Sequence, residues 1–504
     1  MDFASIISTV NNALWATPLI ALIFVGALIY CFAIKFANIS KLPLQIKLLI
    51  SGDGSKDGLS AYETFCSVAA YRVAVGNIGG VMVAIMYGGP GAVFWMLVTA
   101  LVTSAIAYAE NSLGQIYKVR QDGQYRGGPF NYMEMGIPWK GVGKVFAIIF
   151  ALMVTIGVPL LVTGPSANNI AMALENSFGM NHVVSGAIIA VLLFLVISGG
   201  IRRIAKFSTM IVPIMTIAYL VVTVIVLIFN AAAIPSTIAM IVGSAFNTHA
   251  IFGGMIGGAF SYGVKRGVNS SGSGFGETPA IAAAAESKHP AVQGLVNASS
   301  VYIDVIVCFC SGIMALVTDC FNVLGPDGTF MHIGEGSAQM ATQAATNTAG
   351  VVWVQEAANT AIPGIGGMII ALALTCFAYS TCIGYYYEGE AGLAYLARNL
   401  SQSTRDKMIW ATRIMMPIFF FAWANVTAST AWAISEVMFG LMAWLNGITL
   451  LILLPVVKKV YDDYMEQRKA GVEEPYFNPE KLGIKNCDVW MDINAELIKK
   501  DTKA

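Results

Sequence analysis

Charge is what this sequence has least of: 12% of its 504 residues are charged, and 29 lysines and arginines are balanced by 29 aspartates and glutamates. A net charge of zero leaves no electrostatic footprint for nucleic acid. Histidine is scarcer still, four in all (His182, His249, His289 and His332), each near a predicted loop, which leaves no proton relay. The eight cysteines (Cys31, Cys66, Cys308, Cys310, Cys320, Cys376, Cys382 and Cys487) fall mostly inside apolar runs without metal-ligand spacing, and read as small buried hydrophobes. No catalytic set is present, since "NSSGSG" offers serines with no base beside them. A channel is disfavoured because no filter motif repeats and no polar stripe is continuous. The opening "MDFASIISTVNNALWATPLI" lacks the basic start and the small-residue cleavage site of a signal peptide.

What is present is apolar. Hydrophobic residues make up 57%, mean hydropathy is +0.69, and there are 50 glycines. This is the composition of a polytopic, all-α membrane protein rather than a soluble domain. A spanning helix needs about 20 apolar residues. That ruler predicts eleven spans, at about 16–36, 61–87, 91–117, 142–173, 182–199, 207–230, 250–285, 291–318, 363–397, 407–426 and 430–457.

Basic residues gather in the connections after odd-numbered spans, from Lys35, Lys41 and Lys47 to Arg202 and Arg203 and finally Lys458 and Lys459. The long stretch 318–367 holds Asp319, Asp327, Glu335 and Glu356 but no lysine or arginine. The positive-inside rule then predicts an amino terminus outside and a carboxyl terminus in the cytoplasm of a plasma-membrane protein. Residues 1–60 read as a peripheral first helix and a basic loop, 61–230 as one five-span unit, and 231–457 as a second with an acidic external loop at 319–362. "AQMATQAATNTAG" in that loop reads as short surface helices, and 458–504 as a charged, solvated cytoplasmic tail too short to be a domain.

Two spans look broken. "YRVAVGNIGGVMVAIMYGGPGAVF" clusters Gly76, Gly79 and Gly80, and residues 268–279 hold three glycines, four Ser/Thr residues, Asn269, Glu277 and Pro279. Each glycine costs a helix about 1 kcal/mol and a proline about 3. Irregular backbone survives at membrane depth only where protein or a water-filled cavity satisfies it, and the freed amides and carbonyls then serve substrates and ions. The broken spans are the second and the seventh. Five-span units of odd length are inverted relative to each other, with the first span outside the repeat. Close packing by small residues accounts for Gly79 and Gly80 but not for the polar run 269–277.

These residues resemble a known family. "GNIGGVMVAIMYGGPGAVFWM", "DGQYRGGPFNYMEMGI", "YGVKRGVNSSGSGFGETPAIAAAAESKHPAVQGLV" and "FAYSTCIGYYYEGEAGLAYL" are similar in order and spacing to the alanine-or-glycine:cation symporters, also called the sodium:alanine symporter family. The resemblance implies a leucine-transporter-type fold with two inverted five-helix repeats and alternating access, with no cofactor and with sodium as the candidate ion, the choice among sodium, a proton and no ion being open. Where that family reads T-V-G-T-G-N-I-A-G, this chain reads Arg72-Val73-Ala74-Val75-Gly76-Asn77-Ile78-Gly79-Gly80. Where it reads F-S-N-E-A-G-x-G-S-A-P, this chain has Asn269, Ser270, Ser271, Gly272, Ser273, Gly274, Phe275, Gly276, Glu277, Thr278 and Pro279. The family's pocket glutamine falls at Ser166 and its tryptophan at Tyr385, while Ser380 and Thr381 match a Ser-Thr pair.

The implied substrate site is Arg72, Ala74, Val75, Gly76, Asn77, Ser166, Asn269, Ser271, Gly272, Ser273 and Tyr385, more polar than a pocket for alanine. The implied ion positions are Asn77, Ser380, Thr381 and Asp304, with Arg72 as an ion surrogate. Three readings of Arg72 are open: a bidentate contact to an anionic group on the cargo, a replacement for sodium in the niche of Ser380 and Thr381, or a structural pair with Glu277 or Asp304. Asp304 is alternatively a partner of Lys265 or Arg266, and Asn297 and Ser300 are either ligands or interhelical hydrogen-bonding groups.

The function expected is secondary active transport of a small amino acid or related zwitterion. The alternatives are a sodium-independent exchanger or uniporter for a more polar cargo, and a paralogue that binds an amino acid without moving it. Sequence leaves the oligomeric state open.

Overall fold

The computed structural model describes residues 3–50, 58–246 and 255–501. Apart from two short hairpins, Val119–Gln121 with Gln124–Arg126 and Asn322–Leu324 with Phe330–Ile333, the regular structure is helical. Six helices among the described residues are long and apolar enough to cross a membrane: Gly91–Ile116, Lys140–Phe178, Gly200–Phe229, Pro290–Val317, Gly366–Leu396 and Ala428–Lys469. Shorter apolar helices lie at Thr17–Ala33, Gly79–Gly88, His182–Ile197 and Ala231–Ala245. Helix Gly200–Phe229 shows what solvent it meets. Its exposed Met210, Ile214, Ile217, Val221, Val224 and Ile228 recur every three to four residues, while Val212, Met215, Tyr219, Val222 and Val226 are buried. An apolar stripe on the outside of a packed bundle fits lipid, not water.

Both predicted breaks occur. The first broken span, the predicted second, starts with a capping box, in which Ser60 Oγ accepts from Glu63 N and Glu63 accepts from Ser60 N. It runs over Ala61–Arg72, opens at Val73, makes one 3₁₀ turn at Val75–Asn77 and resumes at Gly79–Gly88. Asn77 Oδ1 accepts the freed Ala74 N–H at 2.9 Å. The second runs over Ile256–Ser271 and resumes at Pro279–Ala283; the predicted residues 250–254 lie outside the described residues. Between its halves, Gly272, Gly274 and Gly276 take φ of 59°, 100° and 81°, which only glycine adopts without strain. Glu110, from helix Gly91–Ile116, accepts the amides of Gly274 and Gly276 at 3.1 and 2.9 Å. Asn446 donates to the Gly274 carbonyl at 3.0 Å. Protein groups thus supply what water cannot at this depth.

Several boundaries differ from the sequence reading. The first span ends at Ala33 because Lys35 and Phe36 turn into left-handed conformation (φ 53° each), and a further helix, Phe3–Leu14, precedes it. The fourth extends over Lys140–Phe178 and is wound as a π-helix at Met153–Val162, around Pro159. In the acidic connection, short helices form at Gln339–Ala345 and Val351–Ala361 beside a hairpin that the polar pattern did not disclose.

The expectation of a solvated tail is corrected. Helix Ala428–Lys469 continues twelve residues beyond the predicted limit at 457, and the chain then folds back on the bundle. Trp490 is fully buried and donates to the carbonyls of Gln115 and Ile116 at 3.1 and 3.2 Å. The Lys118 ammonium lies 4.5 Å from its ring centroid. The aromatic anchors, not the charged residues around them, decide where this segment sits.

Candidate functional site

The two breaks meet at a small chamber of about 50 Å³. From the first break it is lined by Arg72, Ala74, Val75, Gly76 and Asn77, and from the second by Asn269, Ser270 and Glu277. Ser166 and Tyr385 close it from the fourth and ninth predicted spans, and Tyr71, Arg266, Trp432 and Phe439 are also in the wall. Eight of the eleven residues predicted for substrate therefore converge on one chamber. Ser271, Gly272 and Ser273 do not line it; they sit behind Arg72. Asn269 Nδ2 is buried with no hydrogen-bond partner, a donor left for whatever the chamber holds. A larger cavity of about 1120 Å³ opens at the end of the bundle where the tail packs, and none of the predicted site residues lines it.

Arg72 is buried and turned toward helices Ile256–Ser271 and Pro290–Val317. Nε donates to Ser300 Oγ at 3.0 Å, Nη1 to the Ser271 carbonyl and to Ser273 Oγ at 3.1 Å, and Nη2 to Thr278 Oγ1 at 3.2 Å. All four acceptors are neutral oxygens. No ion pair within 4 Å involves Arg72 among the described residues, so the expected pairing with Glu277 or Asp304 is corrected to a neutral oxygen nest. The physical reason is that residues 271–278, unwound, already offer their oxygens at the guanidinium. Glu277 Oε1 instead lies 3.3 Å from the Tyr71 hydroxyl.

Lys265 and Arg266 are not partners of Asp304 either. Both reach Glu436, at 3.1 Å each. Asp304 accepts from Asn77 Nδ2 and from Ser270 Oγ at 2.8 Å, so it fastens the first break to the second through helix Pro290–Val317. Ser300 is one of the interhelical groups, and Asn297 donates within its own helix to Gln293 at 3.0 Å.

Ser380 and Thr381 form a separate oxygen cluster. Ser380 Oγ donates to the carbonyls of Ala70 and Phe377 at 3.2 and 2.9 Å; Thr381 Oγ1 lies 3.1, 3.3 and 3.0 Å from the carbonyls of Ala70, Val73 and Phe377. The Arg72 guanidinium points away from this cluster, so the expectation that it fills the Ser380–Thr381 niche is also corrected.

Sequence reasoning missed Tyr71, Glu110 and Glu388. Tyr71 packs edge-on against Tyr385, with ring centroids 5.0 Å apart, and its hydroxyl lies 2.6 Å from Glu388 Oε2. The available signal was the mere presence of an acid in an apolar run, "YAENSLG" for Glu110 and "YYYEGE" for Glu388.

Comparison with known proteins places this architecture. The sodium:alanine symporter family matches residues 1–479. The chain is 35% identical to the sodium/proton-dependent alanine carrier protein of Bacillus sp. (strain PS3), over 91% of this chain and 100% of that one. It is 32% identical to the sodium/alanine symporter AgcS of Methanococcus maripaludis, over 93% and 99%. Among solved structures it resembles MhsT in complex with L-phenylalanine, with a TM-score of 0.54 at 14% identity over 81% and 99% of the two chains. It also resembles a Na+-coupled sialic acid symporter in a substrate-bound outward-open state, with a TM-score of 0.50 at 15% identity over 97% and 98%. At those identities the structures establish the leucine-transporter-type fold alone. With the broken helices and their shared chamber, the full-length match means that this chain belongs to the sodium:alanine symporter family, a multi-pass membrane transporter and not an enzyme.

Proposed function

We propose that this chain carries a small zwitterionic amino acid together with sodium across the plasma membrane by alternating access. The observation that supports this most is the cluster made by the Ser380 and Thr381 hydroxyls with the carbonyls of Ala70, Val73 and Phe377. Carbonyls and hydroxyls are the ligands a hard cation takes, and unwound helix ends are where such transporters hold ions. The cluster borders the same break that lines the chamber, so one movement of the Ala61–Arg72 half-helix alters both. Asn77 is a weaker ion ligand here, since its oxygen already accepts from Ala74 N.

Asn269, Ser166 and Tyr385 give the chamber polar walls, and the half-helix Gly79–Gly88 starts beside it, its amide end favouring a carboxylate. Alanine, the cargo named for two relatives, is the first candidate, with slightly larger polar amino acids next. The same reading takes the eleven spans as two inverted units, 61–230 and 231–457, after a peripheral segment 1–60. It sets the amino terminus outside and the tail 458–504 in the cytoplasm. Its support is the asymmetry of lysine and arginine and the two breaks five spans apart.

A second reading is favoured by the nest around Arg72. Its four neutral oxygens surround the guanidinium as ligands surround an ion, so Arg72 stands in for one cation and leaves the Ser380–Thr381 cluster for sodium. Direct contact between Arg72 and cargo is not favoured, because four of its five N–H donors are already engaged.

Counterflow of labelled alanine in proteoliposomes tests the proposal. Exchange that is stimulated by sodium is expected. Binding without flux would make the protein a non-transporting binder, and flux indifferent to sodium would make it an exchanger or uniporter.

A further inference from the structure

We propose that Glu277, Tyr71 and Glu388 together form a proton-binding site, which makes proton movement a part of the transport cycle. The inference rests on the transport reading above but stands on its own geometry. The Tyr71 hydroxyl lies 2.6 Å from Glu388 Oε2 and 3.3 Å from Glu277 Oε1. A phenol has one hydrogen, and an ionised carboxylate only accepts. With both glutamates ionised, one of these two contacts would set oxygen lone pairs against each other. One proton beyond the phenol's own resolves the conflict: Tyr71 donates to one glutamate and the other, protonated, donates to the Tyr71 oxygen.

Among the described residues, no cation makes direct contact with the pair. Glu277 and Glu388 are buried, at 3% and 0% exposure, and neither has a cation within 4 Å among the described residues. Glu388 Oε1 has no hydrogen-bond partner at all. The groups that act on Glu388 from its neighbours are Tyr71, Glu277, Glu110 and Tyr132, with Tyr385 on its own helix. The π-wound stretch Met153–Val162 packed against the same helix brings no titratable side chain. Arg72 acts on Glu277 and Glu110, yet it is held by neutral oxygens elsewhere. Two adjacent buried carboxylates in this setting cannot both keep their charge cheaply, and taking up a proton is the ordinary remedy.

Position gives the proton a mechanical role. Glu388 follows Thr381 by seven residues on one helix, which puts both on the same face about 10 Å apart. Each is joined to the end of the Ala61–Arg72 half-helix, Thr381 through the carbonyls of Ala70 and Val73, Glu388 through Tyr71. Gly384, one turn before Glu388, makes room: a Cβ there would collide with the Tyr71 ring. Tyr71 and Glu277 line the substrate chamber and Glu388 does not, so Tyr71 is the relay between cargo and proton. Loss of the proton from the pair would set charge against charge across that joint and loosen the half-helix. The cation cluster and the proton pair thus grip the same element at two levels.

Full-length protein in lipid is tested in two ways. Infrared spectroscopy at neutral pH is expected to show the carbonyl stretch of a protonated carboxylic acid that is lost in Glu388→Gln and shifted in Tyr71→Phe. An unchanged band in both variants overturns the proton site, whatever transport shows. In proteoliposomes loaded with a fluorescent pH indicator, an imposed pH gradient is expected to drive alanine uptake with acidification of the lumen. Glu388→Gln is expected to lose the alanine-dependent acidification, and acidification that keeps its wild-type ratio to alanine uptake in that variant overturns the proton site. Net alanine uptake without proton movement in the wild type overturns the proton's part in the cycle. Absence of exchange in the wild type overturns the transport reading, while the infrared result still decides the site.

Discussion

Arg72 Nε donates to Ser300 Oγ at 3.0 Å, so the arginine of the first broken helix is fastened to a helix 228 residues away through a neutral hydroxyl and not through a carboxylate. The guanidinium braces the two breaks from behind the chamber. Replacing it with glutamine would strand several buried acceptors, each worth about 1–3 kcal/mol. Arg72→Gln is therefore expected to lower the unfolding temperature of the detergent-solubilised protein without any substrate present. Arg72→Lys restores the charge but not the fork, and is expected to rescue only part of the loss. An unchanged unfolding temperature with a raised KM would show instead that Arg72 touches the cargo.

Much of this was legible because broken helices are costly and leave marks. Glycines, Asn77 and the polar run 269–277 announce that the backbone is open, and arginine beside them announces an unusual site. What could not be read was how the openings are filled. Glu110 is a lone acid on a regular helix, and the amides it caps, at Gly274 and Gly276, lie 164 and 166 residues further on. A carboxylate partner for Arg72, one of the three readings open in the sequence, rests on charge attracting charge. The structure instead gives it carbonyl and hydroxyl oxygens that unwinding had already freed. The docking of the tail is hidden from composition, which averages over its residues, while its placement is set by a few aromatics such as Trp490 and Phe477.

The Ser380–Thr381 cluster predicts a selective loss of sodium affinity. Removing one hydroxyl ligand in Thr381→Ala is expected to raise the sodium concentration for half-maximal uptake about tenfold, or about 1.4 kcal/mol. Thr381→Ser, which keeps the oxygen, should stay near wild type. The maximal rate at saturating sodium should change little in either. Uptake measured against sodium in proteoliposomes checks this, and an unaltered sodium curve in Thr381→Ala would place the ion elsewhere.

Trp490 predicts a docked tail. Its ring is fully buried and its indole N–H serves two carbonyls at the end of helix Gly91–Ile116. Truncating a buried tryptophan to alanine costs about 3–5 kcal/mol, more than a short segment recovers from surface charges. Trp490→Ala is expected to release residues 476–494 to protease and to rapid hydrogen exchange while the spanning helices stay protected. Equal protection of that segment in variant and wild type would refute its anchoring role.

His289 makes the same docking sensitive to acid. It caps helix Pro290–Val317, with Nδ1 accepting from Ala291 N at 3.1 Å and Nε2 facing Asp463 Oδ2 at 3.1 Å. Phe477 and Tyr464 pack on its ring, and the Phe477 amide donates to the Lys288 carbonyl at 2.9 Å. An acceptor at Nδ1 has no place for a second ring proton. Burial holds the imidazole below its ordinary 6.5, outweighing the pull of Asp463. The unfolded segment therefore binds a proton at a pH where the folded one does not. By linkage, stability is full above pH 6.5 and declines as the pH falls from there toward the depressed value. Hydrogen exchange around Phe477 is expected to accelerate over that window. His289→Asn, which can still cap the helix but does not titrate, is expected to flatten the dependence. A wild-type profile indifferent to pH below 6.5, or one retained in His289→Asn, would show that another group carries it.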